Sequence, residues 1–232
     1  MTANKRSSTE ADNEAGPPSK KANIDYNDLI TVLVGPSEVR FTVHRDHISS
    51  KSPFFQAACG RDWIEGQEKL VRLPEQDAEA FAVYLRWVYA DTLDMTALSV
   101  SDSPYHPTFL NFSKLWMLAH YLQDEALCNL AIDALIKKWV DPREGRGAPS
   151  VTTVAFVFDH TVPDSPLGKL FLDGIAAEMS VKYLREYRSS LPLVVIEDMA
   201  TRFVQRGEQK QGPTLETRCK YHLHDEGQES CL

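Results

Sequence analysis

The sequence predicts an α+β fold: a small sheet made of a β-hairpin plus a further strand, packed with helices and followed by an all-helical C-terminal extension. Three observations point there. Strand-type patterns cluster between residues 28 and 73, two of them flanking a short turn. From Asp77 onward, apolar positions recur at spacings of three and four, as on amphipathic helices. A sheet this small is stable only when helices cover at least one face, so the two patterns require each other.

The elements follow in order. Asp28–Gly35 reads DLITVLVG, a β-branched apolar run typical of a buried strand. Val39–His44 alternates with period two, which sends Val39, Phe41 and Val43 toward a core. Gly35-Pro36-Ser37-Glu38 lies between them, with Pro36 suited to the second position of a type I turn, so the pair reads as a hairpin. Arg45–Ser50 has room for one or two helical turns. Ser52-Pro53 offers an N-cap serine with proline at the first helical position. Lys69–Leu73 is a third strand closed by Pro74. Asp77 caps a long helix whose stripe is Ala78, Phe81, Leu85 and Val88. Thr92–Thr108 breaks the period and reads as a surface loop. Asn111 and Asp124 are expected to cap the next two helices, and Asp141–Gly147 reads as a linker. Ser150, Ser165-Pro166 and Ser190 then open three helical patterns.

This divides the chain into a disordered tail at 1–24, a domain at 25–140, a helical extension at 148–205 and a polar tail at 206–232. Residues 1–24 carry no aromatic side chain and too little aliphatic surface to offset the entropy of ordering. Lys5-Arg6 and Lys20-Lys21 read either as a bipartite nuclear import signal or as solubilising charge.

Composition removes whole classes of function. Lys+Arg total 25 against Asp+Glu 33, a formal net charge of −8, which argues against a direct nucleic-acid binder. No apolar run approaches the ~18–20 residues that cross a bilayer, so no membrane partner is expected. The N-terminus lacks the apolar core of a secretory signal, so Cys59, Cys128, Cys219 and Cys231 read as reduced thiols in the cytoplasm or nucleus.

The run DLITVLVG…VRFTVHRDHISSKSPFFQAA…EKLVRLPEQDAEAFAVYLRWVYA resembles the BTB/POZ domain. The match lies in an Asp, a hairpin, Phe-x-Val-His-Arg, Ser-x-Phe-Phe and a Leu-Pro-Glu-x-Asp lead into a helix ending Trp-x-Tyr. LWMLAHYLQDEALCNL at Leu115–Leu130 is similar to the helix pair that follows in that family. The motifs are weak singly and specific in their order and spacing, over about residues 25–139. The details look most like the small BTB proteins of filamentous fungi, in which a helical region follows the domain. The resemblance implies an interaction module and not an enzyme. Such domains form homodimers, serve as substrate adaptors for cullin-type ubiquitin ligases, or act as scaffolds and transcriptional regulators. It also implies a charged pocket formed by Asp28 and the basic residue after the histidine, Arg45. The alternative is that Asp28 merely opens a strand while Arg45 is solvated. One departure stands out: residues 1–24 lack the apolar helix that some members exchange between subunits, which puts a swapped dimer in doubt.

Tyr84 and Trp87 fall off the expected helix stripe and are candidate partner-binding residues, unless the C-terminal helices cover them. Cys219, His222, His224 and Cys231 are the nearest approach to a zinc site, but their spacing departs from the usual Cys and His pairs, and no metal or cofactor is assigned. Catalytic signatures are missing: G-x-S-x-G, a P-loop, G-x-G-x-x-G and H-E-x-x-H do not occur.

Overall fold

A computed structural model describes residues 25–60, 68–93, 108–140, 149–162, 164–178, 185, 188–189, 191–206 and 212–224. The tail at 1–24, the linker at 141–147 and most of the loop at 92–108 lie outside the described residues.

The architecture is the expected one. Strands β1 (Leu29–Val34) and β2 (Val39–His44) form the antiparallel hairpin. Helices α1 (Arg45–Lys51) and α2 (Pro53–Ala58) follow. Strand β3 (Leu70–Leu73) then pairs with β1 in parallel, giving the order β2-β1-β3. A parallel partner demands a crossover, and α1 and α2 supply it. Gly35 holds the hairpin exit at φ +76, and its N–H donates to the Leu73 carbonyl at 2.9 Å. A Cβ there would lie 3.3 Å from the Gln76 carbonyl oxygen, so a side chain would both strain the backbone and crowd that oxygen.

The sheet sends Ile30, Val32, Val34, Val43, Val71 and Leu73 inward. Helix α3 (Ala78–Ala90) packs beneath, with Phe81 5.0 Å from Phe41 between ring centres. Its Asp77 cap accepts from the Ala80 N–H at 2.9 Å. Ser52 caps α2 by accepting from Phe55 N–H at 3.1 Å, while its own hydroxyl donates to the Leu122 carbonyl at 2.6 Å.

Helices α4 (Phe109–Tyr121) and α5 (Glu125–Val140) pack together across a short turn in which Gln123 adopts φ 60. Asp124 caps α5 as expected, accepting from Leu127 N–H at 2.9 Å. Thr108, and not Asn111, caps α4: Asn111 is the return half of a capping box, its side chain accepting from Thr108 N–H at 2.9 Å.

The extension contains α6 (Val151–His160), α7 (Pro166–Glu178) and α8 (Leu193–Arg206). It shares one hydrophobic cluster with the preceding domain. Three rings form the joint: Trp139 lies 4.9 Å from Phe109 and 5.5 Å from Phe171.

Part of the expected polar tail is docked. Residues 212–224, with a 3-10 turn at Arg218–Tyr221, pack across α5 and α7. Tyr221 is only 2% exposed and donates to Asp173 Oδ2 at 2.8 Å; Lys220 Nζ reaches the same oxygen at 2.7 Å, and Arg202 holds Oδ1 at 2.7 Å. Asn129 bonds both backbone groups of Leu223, at 2.8 and 2.9 Å. Composition alone hid this strap because its few apolar side chains, Leu215, Tyr221 and Leu223, are spread among charges that pair with the helices beneath.

Candidate functional site

Asp28 sits where the chain enters β1, and Arg45 opens α1 directly after β2, so the hairpin register brings them side by side. Arg45 Nε lies 2.9 Å from Asp28 Oδ2. A second cation, which the sequence reading missed, completes the group: Lys69 Nζ lies 2.8 Å from Asp28 Oδ1. Lys69 is aimed there by its position before β3, at φ 53. The Lys69 hydrogen bond, aided by the Arg45 guanidinium, holds the Asp28 carboxyl below its ordinary 3.8 against an opposing push from partial burial. One carboxylate thus faces two cations where the chain enters the sheet.

Beside this triad lies an aromatic cluster. The Tyr89 hydroxyl receives the His44 backbone N–H at 3.0 Å and meets His44 Nδ1 at 2.8 Å. Tyr26 and His47 pack around the same rings, and Tyr26 is 65% exposed.

Tyr84 and Trp87, expected off the apolar face, are interior residues, 0% and 7% exposed. The reason is that α3 is covered on more than one side, so Ala80, Val83, Tyr84 and Trp87 are buried together with Phe81 and Val88. Trp87 Nε1 donates to Asp124 Oδ2 at 2.8 Å, and Lys51 Nζ lies 4.7 Å above its ring. Burial raises the pKa of the Tyr84 phenol, and the Asp124 carboxylate adds to the rise. Neither side chain is presented to a partner in this fold.

A cleft of about 890 Å³ opens between the β1–β2 turn, α4 and the end of α6. Its walls include Val39, Lys114, Trp116, Tyr121, His160 and Val162. Lys114 is tied to Asp77 at 2.6 Å. His160 Nδ1 contacts the Phe156 carbonyl at 2.8 Å; a carbonyl only accepts, so this nitrogen carries the proton. The cleft draws on segments more than a hundred residues apart, and no local pattern announces it.

The Cys/His cluster of the tail is differently engaged. Cys219 is disulfide-bonded, whereas Cys59 and Cys128 are free thiols. This corrects the expectation of four reduced cysteines: spacing along the chain does not say which sulfurs the fold brings together. His222 Nε2 meets Asp133 Oδ1 at 3.0 Å, and His224 Nε2 faces the Cys219 carbonyl at 3.3 Å. Cys231 lies outside the described residues. Among the described residues, no three His, Cys, Asp or Glu side chains are grouped to hold a metal ion, and no helix is long and apolar enough to cross a membrane.

A mixed three-stranded sheet backed by helices thus carries charged and aromatic groups at its surface. Residues 21–137 match the BTB/POZ domain, and the chain belongs to that family. No curated protein matches the chain. Membership makes the chain a protein–protein interaction module of a family that self-associates and binds other proteins.

Proposed function

We propose that this protein is a substrate adaptor, docking on a cullin-type ubiquitin-ligase scaffold through its BTB/POZ domain while the C-terminal helices hold a second partner. One observation supports it above the others: domain and extension share a single hydrophobic cluster, joined at Phe109, Trp139 and Phe171. An adaptor must fix the distance between two bound proteins, and a continuous core does so where a flexible linker would not. The test is a pull-down of the full chain with a cullin scaffold. Recovery above an unrelated control domain is the expected result, and recovery equal to the control rejects the reading.

The second reading is a scaffold or transcriptional regulator that uses the domain for self-association alone. The Asp28–Arg45–Lys69 group favours it, since a half-buried charge group with a fixed geometry orients a partner copy more than it strengthens the contact. Light scattering at micromolar concentration is then expected to give a dimer mass, weakened by Arg45→Glu. A monomer throughout rejects it. Nuclear or cytoplasmic residence is proposed from Lys5-Arg6 and Lys20-Lys21 alone. Imaging of a tagged chain with both pairs changed to alanine checks it: unchanged distribution removes their role.

A further inference from the structure

At the β2 edge of the sheet, backbone hydrogen-bonding groups point away from β1. Arg45 N–H donates to the Asp28 carbonyl at 3.0 Å, which fixes the phase of the antiparallel ladder. Val39, Phe41 and Val43 therefore turn their backbone groups toward β1, and Arg40, Thr42 and His44 turn theirs outward. On that outer edge the His44 N–H is taken by Tyr89, at 3.0 Å. The Arg40 and Thr42 backbone groups have no partner among the described residues, and both residues are exposed. The open edge is thus short: it starts at the turn and is stopped by the Tyr89 hydroxyl.

Side chains give this edge a chemical preference. The register places Arg40, Leu33 and Arg72 in one row across the outer face of the sheet. Arg40 makes no ion pair among the described residues, and Arg72 has only a loose, solvent-exposed contact with Glu38 at 3.7 Å. Such contacts are weak and screened by solvent, so the row keeps a positive character on a chain of net charge −8. On the inner side, Val39 is 43% exposed and forms one wall of the cleft that also holds Tyr121 and Val162. The edge and the cleft therefore meet at one residue.

We infer that β2 accepts an extended segment of a partner protein as an added strand, with an acidic side chain beside Arg40 and the neighbouring apolar or aromatic side chain in the cleft beyond Val39. Alternation of side chains along a strand places one residue on the outer face and the next on the inner face, so the acidic and apolar positions are adjacent in the partner. This deepens the docking-module reading and rests on it, naming a further surface and the chemistry of its occupant.

The probe is a fluorescently labelled peptide with glutamate at every second position and valine or tyrosine between. Anisotropy with the full chain is expected to show saturable binding. Arg40→Glu is expected to weaken it severalfold, because the exposed pair is lost and a like charge then faces the peptide. A lysine-for-glutamate peptide is expected to recover binding to that variant. Thr42→Pro removes an outward N–H that β1 does not use, and is also expected to weaken binding. Hydrogen exchange on wild type supplies a readout free of folding effects: the Arg40 and Thr42 amides should slow when peptide is added. A same-composition peptide without the alternation that binds equally well, or unchanged exchange at those amides, overturns the inference. So does loss of a dimer in Thr42→Pro without peptide binding, which would assign the edge to a second copy. If Arg40→Glu leaves cullin capture and dimer mass intact while wild type ignores the peptide, this inference fails and the docking-module reading stands.

Discussion

The Trp87 indole N–H donates to the Asp124 carboxylate at 2.8 Å, which fastens the end of α3 to the cap of α5. The two carboxylate oxygens have separate duties: Oδ2 takes the indole and Oδ1 takes the Leu127 N–H. Asparagine retains one acceptor oxygen and cannot serve both. Asp124→Asn is therefore expected to cost about 1–3 kcal/mol, and Trp87→Phe a similar amount, because each leaves a buried polar group short of a partner. A double-mutant cycle by urea denaturation should give less than the sum of the single costs; strict additivity would show that the bond does not couple the helices.

Two carboxylates of the fold, Asp28 and Asp124, titrate with opposite sign. Asp28 has a folded pKa below its ordinary 3.8, so its ionised form stabilises the fold; that contribution is complete above 3.8 and disappears as pH falls through the lowered value. Burial outweighs the hydrogen bonds at Asp124 and raises its pKa, so its contribution is complete below 3.8 and is lost as pH rises through the raised value. The stability gap between wild type and Asp28→Asn is expected to narrow on acidification from pH 5, and that for Asp124→Asn to widen. Thermal melts across this range decide it; parallel gaps would reject the assignment.

What could be read beforehand was what is local. Asp77, Ser52-Pro53 and Ser150 act within three residues of themselves, so a cap is visible in the sequence without the fold. Asn111 was legible as a helix start but placed three residues late, since both halves of a capping box are cap-type residues. The Asp28–Arg45 contact rested on resemblance, whereas Lys69 depends on the parallel pairing of β3, which period-two alternation cannot announce. Tyr84 and Trp87 looked surplus because a single stripe was assumed; a helix enclosed on several sides buries more than a stripe. The strap was hidden because its stability comes from specific partners on α5 and α7, not from its own apolar content.

Gly174 on α7 meets the face of Trp139, and a Cβ at that position would lie 2.4 Å from Trp139 Cζ2. Two effects of Gly174→Ala oppose each other. Alanine gains about 1 kcal/mol of helix propensity. Overpacking costs typically ~1–3 kcal/mol, and here the indole is itself wedged against Phe109 and Phe171, which limits relaxation. The clash is expected to win, with a net loss of stability in urea. A denaturation midpoint at or above wild type would show that the joint between domain and extension is loosely packed.

The strap at 212–224 should be separable into its contributions by three substitutions. Tyr221→Ala removes both a buried ring and a hydrogen bond to Asp173, and is expected to cost about 3 kcal/mol or more. Tyr221→Phe keeps the ring and loses the bond, for about 1–2 kcal/mol, because the Asp173 carboxylate is almost wholly buried. Lys220→Met should cost least. Its side chain is largely exposed, at 59%, so solvent already screens the pair, and Arg202 remains on the other carboxylate oxygen. Urea denaturation of the three variants checks the order. If Lys220→Met proved the most damaging, charge neutralisation of Asp173, and not burial of Tyr221, would be what holds the strap against the helices.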